Sequence, residues 1–272
     1  MLTSLEIYKL FDEIAKQPIK SMNFPTHFMA TVHIKRAMME KEISVHKVAE
    51  ALYLGPLIAT KVLVAANHNV SAKSAEIVDL EYAVRKLGIE AVKKISLAVA
   101  IDQLRKSKEV LSYASLARKI WLRTLCVQSA AYEIAKETGI VSPQEAQFAG
   151  LILKLGGFYL LYRAGSEIKT VMHPDDIQEG LARNYLDLTK KIVEYFSVPK
   201  EIRDAMNIDE FYGTELRYPP KSLVEIIYIS NVYANHIIEW VLGDSDEIRL
   251  TDPYLAMKAD ILTKMDQIQR GQ

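Results

Sequence analysis

Residues 144–162 constrain the fold more than any other stretch of this chain. They read Gln-Glu-Ala-Gln-Phe-Ala-Gly-Leu-Ile-Leu-Lys-Leu-Gly-Gly-Phe-Tyr-Leu-Leu-Tyr, with apolar residues on nearly every face from 148 to 161 and a lone cation, Lys154, in the middle. Ser142 and Pro143 precede the run as an N-cap and a first-turn proline, so it reads as one helix. A helix apolar all round is buried on all sides, and the rest of the chain is expected to wrap around it. Gly150, Gly156 and Gly157 each weaken a helix by about 1 kcal/mol relative to alanine. Close approach of neighbouring helices is the expected compensation.

Helical periodicity continues on both sides. Leu5, Tyr8, Phe11, Ile14 and Ala15 make a first amphipathic face. Further helices are expected over residues 29–40, from Ser44 to Gly55, over 57–67, over 79–88 and over 89–105. A long one is expected over 111–137, ended by Gly139. After the buried run, His173-Pro174-Asp175-Asp176 starts a helix through 183. Separate helices are expected over 188–196, 199–208, 223–242 and 254–268. Residues 211–221, with Gly213 and Pro219-Pro220, are the clearest non-helical stretch. No strand alternation or internal repeat stands out. The expectation is an all-α unit over 1–272, with an N-terminal helical part to about 108 and a second part from about 109 sharing one core.

Several segments together resemble the HD superfamily of phosphohydrolases. The superfamily's central helix carries Ala-Gly-Leu-Leu-His-Asp-Ile-Gly-Lys, whose His-Asp pair binds a divalent metal. Ala149, Gly150, Leu151, Ile152, Leu155 and Gly156 match, but Leu153 and Lys154 stand at the His-Asp positions. Trp121-Leu122-Arg123-Thr124 is similar to the family's Trp-x-His-Ser, with Arg123 in place of the first ligand. Gly55-Pro56-Leu57, Ala65-Ala66-Asn67-His68 and Leu87-Gly88 fit further pieces. Phe196-Ser197-Val198-Pro199 resembles a Trp-x-Leu-Pro segment, while Asn184-Tyr185 and Ile208-Asp209 stand where the family often has polar ligands. A retained scaffold without its ligands resembles the HDOD group, the HD-related output domains of bacterial signalling proteins. That resemblance implies a multi-helix HD-like bundle of HDOD architecture with no substantial sheet. It also implies a non-catalytic role exercised through signalling proteins, with neither catalytic residue, metal nor cofactor.

The residues read by themselves agree with that direction. Leucine has no lone pair for a metal, and lysine and arginine offer only donors and positive charge. Two cations as close as the resemblance implies would reach solvent, meet a carboxylate or hold an anion. Arg123, Thr124, Leu153 and Lys154 are therefore the altered positions and the candidate contacts of a small anion. None of the six histidines shows metal-ligand spacing, and His46 with Glu50 reads as a surface pair. Cys126, the lone cysteine, reads as buried and inert and excludes an internal disulfide. Lysine plus arginine total 34, as do aspartate plus glutamate, so no net charge favours nucleic acid or an anionic membrane. The group Arg85, Lys86, Lys93, Lys94 is broken by Glu81 and Glu90 and reads as a solvated face. The first residues lack a signal-peptide pattern and no apolar run is long enough for a bilayer, so the expected location is cytoplasmic. The alternatives are a metal-dependent phosphohydrolase with relocated ligands and a sensor of a small anion or nucleotide at the altered site.

Overall fold

The structure, a computed structural model, describes residues 4–19, 24–68, 75–167, 174–238 and 250–270. Among them the regular elements are all helical, with no strand. In chain order they are α1 (Ser4–Lys16), α2 (Phe28–Met38), α3 (Val45–Leu52), α4 (Pro56–Asn67), α5 (Leu80–Leu87) and α6 (Ile89–Lys106). A 3-10 segment, Ser107–Tyr113, leads into α7 (Ala114–Thr138). Then come α8 (Pro143–Ile152), α9 (Leu155–Glu167), α10 (Pro174–Tyr195) and α11 (Lys200–Asp204). A short 3-10 turn, Ile208–Phe211, precedes α12 (Leu223–Ile237), α13 (Asp252–Ala256) and α14 (Lys258–Arg270). No helix among the described residues is long and apolar enough to cross a membrane.

Local chemistry starts several of these helices. The side chains of Ser44, Asp79, Ser142 and Ser222 each accept a hydrogen bond from a backbone N–H in the first turn. Pro56 and Pro143 occupy the first turns of α4 and α8, where no N–H is needed. Gly88 turns α5 into α6 with φ near +80°, a backbone region that side chains strain.

Helix α7 is the axis of the fold. It packs against α8, α12, α14 and the 3-10 segment, while α10 covers α9 and α1. One cluster of buried apolar side chains extends from Ile7 to Ile268. The first helix belongs spatially to the later part of the chain. Asn184 donates to the Asp12 carboxylate at 3.0 Å, and the Arg183 guanidinium lies 4.9 Å from the Tyr8 ring centroid. Two of the three central glycines mark close approach. A Cβ on Gly150 would lie 2.8 Å from Gln128 Cα, and one on Gly156 would lie 2.0 Å from the Tyr185 carbonyl oxygen. Gly157 is different, since a Cβ there would meet Ile120 at an ordinary 3.5 Å.

Several expected boundaries shift. The buried run is two helices, broken at Leu153 and Lys154, because a threonine from α10 satisfies the backbone at the break. Residues 174–195 form one helix rather than two: the Asn184 amide bonds the Gly180 carbonyl within the turn as well as Asp12, so the polar stretch does not interrupt α10. The last helical run divides at Met257 into α13 and α14. Helix α12 ends at Ile237, where Ile238 turns extended. The expected helix start at His173 and the expected continuation of α12 to 242 lie outside the described residues.

Candidate functional site

The altered positions lie on three elements packed together. Arg123 and Thr124 are in the middle of α7, and Leu153 and Lys154 form the link between α8 and α9. Helix α10 closes the site with Leu181 and Tyr185. Arg123 and Lys154 do converge: both line a cavity of about 20 Å³ together with Ile120, Gly157, Leu181 and Tyr185. That volume holds about one water molecule. Thr124 and Leu153 turn elsewhere. The Thr124 hydroxyl donates to the Ile120 carbonyl at 2.9 Å inside its own helix. Leu153 is wholly buried, and its carbonyl accepts from Thr189.

Each cation has found electron density within the chain. Arg123 is 2% exposed. Its guanidinium donates to the Asn235 side-chain oxygen and, at 3.4 Å, to the Ile238 carbonyl. These oxygens sit at the C-terminal end of α12, where unpaired carbonyls and the helix dipole favour positive charge. Lys154 is 6% exposed, and its ammonium lies 3.7 Å from the Tyr185 ring centroid. A desolvated contact of this kind contributes about 2 kcal/mol. Sequence reasoning placed the two cations together but missed these partners. Asn184-Tyr185 had registered only as a departure from the family pattern.

The break between α8 and α9 is built by Thr189. Its hydroxyl accepts from the Gly156 N–H at 2.9 Å and shares its own hydrogen between the carbonyls of Leu153, at 2.9 Å, and Tyr185, at 2.8 Å. The Lys154 carbonyl then accepts from Gly157 at 3.1 Å and starts α9. Lys154 is thereby held by its backbone as well as by its ring contact.

The resemblance to HD phosphohydrolases would put a divalent metal at this place, and the residues present do not suit one. Two permanent donors and a leucine offer no ligand. Among the described residues no group of three or more His, Cys, Asp or Glu side chains is placed to hold a metal. The nearby Cys126 is buried, and burial pushes its thiol up to about 12, with Arg123 opposing weakly. At neutral pH it stays a thiol. His46 lies 3.2 Å from Glu50 and 2.9 Å from Glu81, with its side chain 66% exposed. That is the expected surface pair with a third member. Of the four basic residues on the neighbouring face, Arg85 meets Glu81 and Lys93 meets Glu90.

The HDOD domain family matches residues 24–209, more than half of the chain and all of the elements that build this site except α12. The chain belongs to the HDOD family. No curated protein matches it. Among solved structures, the MmoQ response regulator of Methylococcus capsulatus str. Bath is similar, with TM-score 0.62 and 17% identity over 87% of this chain and 97% of that one. An HDOD domain protein of unknown function from Geobacter sulfurreducens aligns with TM-score 0.40 and 15% identity, covering 99% of this chain and 98% of that chain. A protein of Shewanella amazonensis SB2B, provisionally assigned as a metal-dependent phosphohydrolase, aligns with TM-score 0.48 and 14% identity over 98% of this chain and 97% of its own. At these identities the likeness to MmoQ speaks for the shared helical fold. The other two alignments carry no argument about this HDOD domain's chemistry.

Proposed function

We propose that this HDOD domain is a non-catalytic module of bacterial signal transduction that acts in the cytoplasm through protein partners. One observation carries the reading. Where the HD enzymes gather metal ligands, Arg123 is tied to the end of α12 and Lys154 is laid on Tyr185, around a cavity of about 20 Å³. Such a place offers a metal no donor, and a phosphate ester no room. It has the character of a structural joint between helices.

The test is metal analysis of the purified chain with hydrolysis assays on phosphodiesters and nucleotides in added Mg²⁺ or Mn²⁺. No stoichiometric metal and no turnover are expected. Metal that survives dialysis, with turnover abolished by a chelator, would replace this reading with that of a phosphohydrolase using other ligands. Saturable binding of phosphate or a nucleotide, lost in Arg123→Gln, would replace it with that of an anion sensor.

A further inference from the structure

We propose that a second cavity, between the start of α2 and the 3-10 segment, binds a small amphipathic acid: an acyl or arylalkyl chain that ends in a carboxylate. This cavity is about 260 Å³, more than ten times the space between Arg123 and Lys154. An apolar cavity of about 150 Å³ already admits benzene, so this one takes a phenyl ring with a short tail or an acyl chain of about eight carbons. Its walls are apolar, built from residues such as Phe28, Met29, Leu104, Val110 and Leu111. Phe28, Met29 and Leu111 are 54%, 52% and 67% exposed, which is unusual for side chains of their size and marks the mouth of a binding surface.

Of the polar side chains lining it, Thr31, Gln103 and Ser107 already hydrogen-bond within the protein, and the remaining three can each donate. Thr26 lines the cavity, is 4% exposed, and its hydroxyl has no hydrogen-bond partner among the described residues. A buried hydroxyl left in that state costs free energy until something bonds to it. His27 also lines the cavity. Its Nδ1 accepts the Ala30 N–H as the N-cap of α2, so its proton sits on Nε2, where it is a donor. The first residues of α2, Phe28 and Met29, bring the positive end of a helix of eleven residues to the same cleft. The charged side chain lining it is the exposed Arg118, and no carboxylate of the described residues lines it. Apolar walls with donors and positive charge around them fit an apolar body carrying an anionic head.

The His27 ring stacks on Trp121 with centroids 4.3 Å apart, so tryptophan emission reports on the cleft. The experiment titrates the full chain with 4-phenylbutyrate and with octanoate, by calorimetry and by fluorescence, alongside the matching alcohols. One saturable site is expected, with each acid bound about tenfold or more tightly than its alcohol, the size of one charge-assisted contact. Ala114→Trp, which fills the cleft from an exposed position, is expected to abolish binding. Arg118→Gln is expected to weaken the acids about tenfold and to leave the alcohols little changed. Arg118 is exposed, so this variant keeps the test open should the tryptophan upset folding. Absence of saturation, equal affinity for acid and alcohol, or undiminished binding in a folded Ala114→Trp protein overturns the proposal. Binding to phosphatidylglycerol vesicles without binding to either free acid also overturns it and assigns the cleft to a membrane surface. None of these outcomes bears on the hydrolysis assay, so the two readings fail separately.

Discussion

Helix α7 lines two cavities with opposite characters. At Ala114, Ala117 and Arg118 it borders a cleft of about 260 Å³ with large apolar side chains at its mouth. Little more than one turn further on, at Ile120 and Arg123, it borders a space of about 20 Å³. The smaller space is the one to which the resemblance to HD enzymes points, and its two cations are held by neutral groups of the chain itself. The larger matches no ligand position of the HD pattern and leaves a buried hydroxyl unbonded. Motif alignment and physical vacancy thus point to different places. The difference teaches that motif resemblance and unmet hydrogen-bonding capacity are separate signals and select different places on one helix.

The most disruptive test of that contrast opens the closed space. Gly156→Ala would put a methyl 2.0 Å from the Tyr185 carbonyl oxygen and 2.6 Å from the Thr189 nitrogen. Backbone cannot step aside as a side chain can, so α9 must part from α10. The expected cost is about 3 kcal/mol, read as a lower midpoint in chemical denaturation. An unchanged midpoint would mean that the closed site is already loose.

Arg123→Met comes next. It keeps most of the buried volume and removes the donors to Asn235 and Ile238, at an expected cost of about 2 kcal/mol. If the variant proves as stable as the parent, the guanidinium is not a structural tie, and the anion-sensor reading gains. Thr189→Val is expected to cost about 1–2 kcal/mol, since it leaves the Gly156 N–H without its acceptor, whereas Thr189→Ser should stay near the parent. Gly157→Ala should do the reverse. Its Cβ meets Ile120 at 3.5 Å, so the helix-propensity gain of about 1 kcal/mol is expected to survive as added stability. A loss there would show that the small space must stay open.

The pH-dependent effect belongs to the large cleft. Burial, with Arg118 and His33 adding to it, holds the His27 pKa down to about 4 from an ordinary 6.5. Between those values the unfolded chain carries a proton on this ring that the folded chain refuses, so stability rises with pH through the window. His27 thus contributes fully above pH 6.5, and that contribution is lost as pH falls toward 4. The melting temperature measured from pH 7 to pH 4.5 should fall less in His27→Asn, which can still cap α2. An identical fall in both proteins would place the titrating group elsewhere.

The all-helical class was legible because it is written locally. Ser44, Asp79, Ser142 and Ser222 announce their helices within three residues of the N–H they accept. The break at Leu153 was not legible because its cause, Thr189, lies 36 residues away, and the glycines of the run signal close packing as readily as a break. The convergence of Arg123 and Lys154 could be anticipated from motif spacing. Their partners could not, since electrostatics demands only that buried cations be satisfied and is indifferent to whether an amide, a carbonyl or a ring does so. Asn235 lies 112 residues from Arg123, and only the packing of α12 on α7 brings them together. His27 as a helix cap was overlooked for another reason: histidine is rarely chosen for that task, and its ring nitrogen stands in for the usual short oxygen.

The Thr189 junction also makes the molecule's motions interdependent. One hydroxyl on α10 holds the last carbonyl of one helical run and the first amide of the next. A slide of α10 by one residue is about 1.5 Å along its axis. It would carry that hydroxyl out of reach of both groups at once. Helix α10 is in turn gripped by α1 through Asp12 and Tyr8. One chain of contacts therefore runs from α1 through α10 to the α8–α9 junction.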